Sequence, residues 1–125
     1  MKVDMTNLPR QFIGVALENP KKKAIFWGEM TYSFGQAHGL AKRLAKRLRE
    51  EHGLQPGDRL GLWLKNCPEF IFSLLGILMA EGVVVSINSF LTPDEVGFIL
   101  ADCEAKVLIS EASMAEGTAK LRERL

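Results

Sequence analysis

The sequence predicts the start of a doubly wound α/β domain: a mainly parallel sheet with helices on both faces, preceded by a β-hairpin. Three observations predict it. From residue 59 onward, short apolar strands alternate with helical segments of 10–14 residues, the pattern that right-handed strand–helix–strand crossovers require. The runs at 83–87 and 106–109 are continuously apolar rather than alternating, as strands buried on both sides are. Helix-start signals stand before several of the helical segments.

Each element follows from its residues. Asn7 or its neighbourhood opens a first helix through about Glu18, with Phe12, Ile13, Val15, Ala16 and Leu17 as its apolar material. Asn19-Pro20 stops it, because a residue before proline is pushed out of the helical region. Ala24–Trp27 reads as a strand, Gly28-Glu29 as a two-residue turn and Met30–Tyr32 as the returning strand. Glycine at the first central position suits a type II′ hairpin. Ser33 and Gln36 form a capping box that starts the longest helix, each side chain satisfying an exposed backbone donor. Phe34, Ala37, Ala41, Leu44 and Leu48 recur at helical spacing and predict its buried stripe, with Leu44 at the centre. Gly35 and Gly39 are expected to allow close helix packing. The opposite face carries Lys42, Arg43, Lys46, Arg47 and Arg49. Late cations favour the helix dipole, and Lys46 and Arg47 have Glu50 and Glu51 four residues on. The cluster reads as a solvated face.

His52-Gly53 ends this helix and Gln55-Pro56-Gly57-Asp58 is a turn. Arg59–Leu64 is a strand, and Asn66-Cys67-Pro68-Glu69 starts a helix to about Glu81, with proline where a missing donor is harmless. Val83–Ile87 is the next strand. Thr92-Pro93-Asp94-Glu95 is a second capping box, opening a helix that ends near Asp102. Lys106–Ile109 is the last strand, and Ser113 with Glu116 caps a helix toward Leu125.

Composition narrows the function. The 125 residues are 47% hydrophobic and 25% charged, with 16 Lys and Arg against 15 Asp and Glu. That apolar content excludes a disordered chain, and the near-neutral balance removes the electrostatic case for binding nucleic acid. No repeat or linker interrupts the sequence, so residues 1–125 read as a single domain. Cys67 and Cys103 stand 36 apart in a pattern with no CxxC, which points to two reduced thiols rather than a disulfide or zinc framework. A cytoplasmic location is the matching expectation. Residues 1–10 hold no signal-peptide core. The apolar pieces Phe70–Ala80 and Gly82–Pro93, 11 and 12 residues long and split by Glu81, fall short of the roughly 20 that span a membrane.

No catalytic motif stands in the chain: there is no GxxxxGK[ST] loop and no GxGxxG after a strand. His38 and His52 are solitary and read as packed or surface histidines. Asp58 is a turn residue, while Asp94 and Glu95 serve helix capping. The fold offers one pointer, since open parallel sheets bind ligands beyond the carboxyl ends of their strands. Those ends carry Asn66, Asn88 with Ser89, and Ser110.

Taken in series, three segments resemble a known family. "AIFWGEMTYSFGQAHGLAKRLAKRL" is similar to the hairpin and Ala/Leu-rich helix near the start of adenylate-forming enzymes. "LQPGDRLGLWLKNCPEFIFSLLGILMAEGVVVSIN" resembles their next block, and "LTPDEVGFILADCEAKVLI" the helix and strand that follow. The family is the AMP-forming acyl-CoA synthetases and their relatives. The resemblance covers about residues 8–110 and implies the amino-terminal part of a fatty-acid–CoA ligase. Such an enzyme uses ATP and Mg²⁺ to make an acyl-adenylate, from which coenzyme A takes the acyl group.

The family's phosphate loop, metal-binding and catalytic residues match no position here, so no catalytic, cofactor or metal residue is carried over. This chain alone is expected to be inactive, to hold no bound cofactor, to need the rest of a parent chain and to self-associate through uncovered apolar surface. Two local departures stand out: Met79-Ala80-Glu81 replaces a Lys-Ala-Gly pattern, and Ser86 and Ser89 flank Ile-Asn where prolines are usual. Two further readings are a stand-alone interaction domain of the same descent and an unrelated α/β binding domain.

Overall fold

In the computed structural model, which describes residues 7–124, the expected alternation is present. The elements are α1 (Leu8–Glu18), β1 (Lys23–Trp27), β2 (Met30–Ser33), α2 (Phe34–Glu50), β3 (Arg59–Trp63) and α3 (Pro68–Met79). They continue with β4 (Val83–Ser86), α4 (Pro93–Asp102), β5 (Val107–Ser110), a 3₁₀ turn (Ala112–Met114) and α5 (Ala115–Arg124). The expected end of the last helix at Leu125 lies outside the described residues, as do the first six residues of the expected leaderless amino terminus.

β1 and β2 form an antiparallel hairpin, with Trp27 opposite Met30. Gly28 has φ of +60°, the positive value that a type II′ turn needs at its first central position. The main sheet is parallel, in the order β4-β3-β5. Leu60 lies opposite Val84 on one side and Val107 on the other. The earliest of the three strands is therefore the central one, and it is buried from Leu60 through Trp63.

Strand alternation sends side chains to two cores. Leu60, with Val84, Val107 and Ile109 packed around it, meets Ala45, Leu48, Leu54, Ile77 and Ala80 from α2, α3 and their flanks. On the opposite face Trp63 and Ile87 meet Val96, Leu100 and Leu121 from α4 and α5. Gly61 faces this second core because a β-carbon there would stand 2.6 Å from a Leu100 methyl carbon.

Both capping boxes form. Gln36 N donates to Ser33 Oγ at 3.1 Å and Ser33 N to Gln36 Oε1 at 2.8 Å. Thr92 and Glu95 make the same reciprocal pair at 3.0 and 3.3 Å. Asn7 caps α1 by accepting from Arg10 N.

Several expectations need correction. Leu44 is only partly buried, and Ala45 takes the central position beside Ala37, Ala41 and Leu48. Leu44 sits beside the close approach of the two helices, against Gly76 of α3, with its outer side left partly exposed. Gly39 meets nothing within 4 Å, and Gly35 packs against the Pro20 turn instead of a helix. Arg47 pairs with Glu51 at 3.2 Å, whereas Lys46 and Glu50 form no ion pair among the described residues. Ser113 does not cap α5: it lies in the 3₁₀ turn and donates to Glu111 Oε1 at 2.9 Å.

α3 ends at Met79 rather than near Glu81. Gly82 N donates to Ile77 O at 2.9 Å and Glu81 N to Leu78 O at 3.0 Å, which is a Schellman ending. It puts Glu81 at φ +65°, and the same ending on α4 puts Glu104 at φ +55°.

Candidate functional site at the strand ends

The carboxyl ends of β3 and β4 open onto a cavity of about 450 Å³ lined by Leu64, Lys65, Asn66, Phe70, Ser86–Phe90. Asn66, Asn88 and Ser89 are thus brought together, as the parallel geometry requires. Ser110 is not with them. Because β3 is central, the end of β5 lies on its other side, and Ser110 lines a larger groove of about 620 Å³ along the free edge of β5. Its Oγ donates to the Trp63 carbonyl at 3.0 Å, so it ties two strand ends together. All three strand ends share the carboxyl edge of the parallel sheet, but Ser110 lines a different cavity from Asn66 and Asn88.

The polar groups of the smaller cavity are only partly available. Asn88 Oδ1 accepts from Phe90 N at 2.9 Å, and Asn88 O accepts from Leu91 N at 3.1 Å. That asparagine shapes the turn into α4. Asn66 is exposed and makes no hydrogen bond among the described residues. Lys65 is the cavity's cation. Sequence reasoning missed it, and the available signal was its place directly after an apolar strand.

The neighbouring Cys67 caps α3 without a side-chain hydrogen bond, and burial pushes its thiol pKa up, which disfavours the reactive thiolate. Both cysteines are free. His38 stacks edge-on against Phe12 at 6.2 Å, the packed role expected of it. His52 lines the β5 groove.

Together these groups can present one cation, one free amide and apolar walls to a ligand. They do not fit ATP with Mg²⁺. No group of three or more His, Cys, Asp or Glu is placed to hold a metal ion among the described residues. The cavity's backbone turns on an asparagine rather than forming a glycine-rich phosphate cradle.

A parallel sheet covered on both faces, with an open cavity at its strand ends and an early hairpin, is the architecture of the amino-terminal domain of adenylate-forming ligases. The family model described as AMP-binding enzyme matches residues 14–125, and the chain belongs to that family. It is 36% identical over 91 residues to the long-chain-fatty-acid–CoA ligase of Bacillus subtilis (strain 168), covering 73% of this chain and 16% of that protein.

Among solved structures, it superposes on the anthranilate CoA ligase AuaEII in complex with anthranoyl-AMP with a TM-score of 0.88. The identity is 27%, over 95% of this chain and 23% of that one. It superposes on the inhibitor-bound N-terminal domain of FACL13 from Mycobacterium tuberculosis with a TM-score of 0.85. There the identity is 30%, over 93% of this chain and 29% of that one. An unrelated α/β domain is thereby excluded. The chain spans less than a third of each of these proteins.

Proposed function

We propose that the chain is part of an ATP-dependent acyl-CoA ligase, one that activates a carboxylic acid as its acyl-adenylate and transfers the acyl group to coenzyme A. The carrying observation is the family match across residues 14–125 on a fold shared with a ligase solved with an acyl-adenylate. A fatty acid is the proposed substrate, supported by the identity to a long-chain-fatty-acid–CoA ligase. The proposed setting is the cytoplasm, in keeping with two free thiols.

In this reading the chain supplies scaffold and one wall of a cleft. Adenylate formation develops negative charge that a metal and fixed donors must stabilise. Lys65 and Asn66 alone are too few for that. The remaining partners come from the rest of a parent chain, and the isolated 125 residues are inactive. Exposed Phe90 and Phe98 favour a second reading, a non-catalytic interaction domain of the same descent that associates through such surface.

Pyrophosphate release from ATP, a fatty acid and coenzyme A tests the inactivity: the isolated chain should match a no-enzyme blank, and release above it overturns this part. Reading the gene beyond Leu125 tests the rest. A Ser/Thr/Gly-rich loop with a lysine soon afterwards supports the ligase, and an immediate stop codon supports the interaction domain.

A further inference from the structure

The β1–β2 hairpin leaves three large apolar side chains at its tip in water. Phe26 is 70% exposed, Trp27 49% and Met30 55%. At its base, Lys21, Lys22 and Lys23 are all exposed and make no ion pair among the described residues. The base is held firmly. Lys22 N donates to Asn19 O at 3.2 Å, and Phe34 N donates to Lys22 O at 2.9 Å. From Lys23 to Trp27 the strand extends by about 13 Å. Phe26 and Trp27, strand neighbours, stand on opposite faces of the hairpin. Trp27 lies over the groove at the start of α3 beside Pro68 and Ile71, and the tip stands above a rigid cationic collar.

We infer that this hairpin docks the protein on the surface of an anionic lipid bilayer. Aromatic side chains favour the headgroup level, where one end of the ring is apolar and the other wet. Lysines set back from the tip meet the negative surface potential of the lipids. Glu29, exposed in the turn, opposes deep entry and keeps the tip at the interface.

Other exposed apolar surface carries fewer cations: Phe90, 92% exposed, has Lys65 alone on its cavity. Phe98 shares its face with Asp94 and Glu95, which an anionic surface repels. The α2 cations are followed by Glu50 and Glu51 and carry no exposed aromatic ring. No helix among the described residues is long and apolar enough to cross a membrane, so the contact is peripheral.

Tryptophan emission reports the contact directly. Trp63 is buried, at 3% exposure, and gives a constant background, so a change belongs to Trp27. Phosphatidylcholine vesicles containing about one-third phosphatidylserine should shift Trp27 emission to the blue, and phosphatidylcholine alone should not. Raising salt to about 1 M, where screening acts within about 3 Å, should abolish the shift. Replacing Lys21, Lys22 and Lys23 together by glutamine should weaken partitioning by about tenfold or more.

Phe26→Ser with Met30→Ser should also weaken it while leaving the far-ultraviolet circular dichroism unchanged. Glu29→Gln should strengthen it. An unshifted spectrum with anionic vesicles, equal binding to neutral ones, or full binding by either multiple variant overturns the inference.

Discussion

Gly76 of α3 lies so close to Ala41 of α2 that a β-carbon built on it would stand 2.9 Å from the Ala41 carbonyl oxygen. A backbone oxygen cannot swing aside as a side chain can. Gly76→Ala should therefore cost about 1–3 kcal/mol through overpacking, despite its better helix propensity. Urea denaturation is the measurement, and a stabilised variant would show that the two helices separate freely.

Leu44 flanks this contact, with its Cδ2 2.9 Å from the same built β-carbon. It is only partly buried, so Leu44→Ala should cost about 1–2 kcal/mol, at or below the low end for a core leucine. Arg43→Ala, on the solvated face, should change stability by no more than about 0.5 kcal/mol. Thermal melts of the two variants should keep that order.

Glu81 occupies the left-handed region at φ +65°, a conformation that costs a side-chain-bearing residue about 1–2 kcal/mol relative to a right-handed one. Glycine loses less there but more entropy on folding. Glu81→Gly should thus stabilise the chain by about 0.5–1 kcal/mol, read as a higher Tm. An unchanged or lower Tm would mean that the glutamate side chain compensates in the folded state.

Glu95 has its carboxyl held below the usual carboxylate range, first by the Thr92 backbone N–H and then by the Thr92 hydroxyl. A folded-state pKa below the unfolded one contributes stability above the unfolded pKa, and this is lost as pH falls through the folded value. Glu95→Gln should melt below the parent at neutral pH, and the gap should narrow in acid. A gap independent of pH would show that the charge plays no part.

ATP should bind the isolated chain no better than weakly, with a Kd above about 1 mM, equivalent to less than roughly 4 kcal/mol. Calorimetric titration with Mg²⁺ present measures this. Micromolar affinity abolished by Asn88→Ala would give the strand-end cavity a binding role that its hydrogen bonds do not suggest.

The local elements were legible because their signals are local. Ser33 with Gln36 and Thr92 with Glu95 carry their own partners three residues away, and both boxes form. Ser113 has the same spacing to Glu116 but a nearer acceptor in Glu111, which takes its hydroxyl. What sequence spacing could not supply was strand order. Placing β3 between β4 and β5 put Ser110 and Asn88 on opposite flanks of the strand that Asn66 follows, in different cavities. The phase of α2 was hidden for a related reason: periodicity marks the buried side of a helix, but the close approach at Gly76 decides which buried position must be small.

The central place of β3 also sets an order of events during synthesis. Its partners on both sides are encoded after it, and Lys106 N must reach Arg59 O before the second ladder starts. The hairpin and the α2–α3 pair can assemble as the chain leaves the ribosome, because their contacts lie close together in sequence. Leu60 and its neighbours then wait, covered on one flank, until the codons for β5 have been translated. A nascent chain stalled before Val107 would present this buried strand to chaperones.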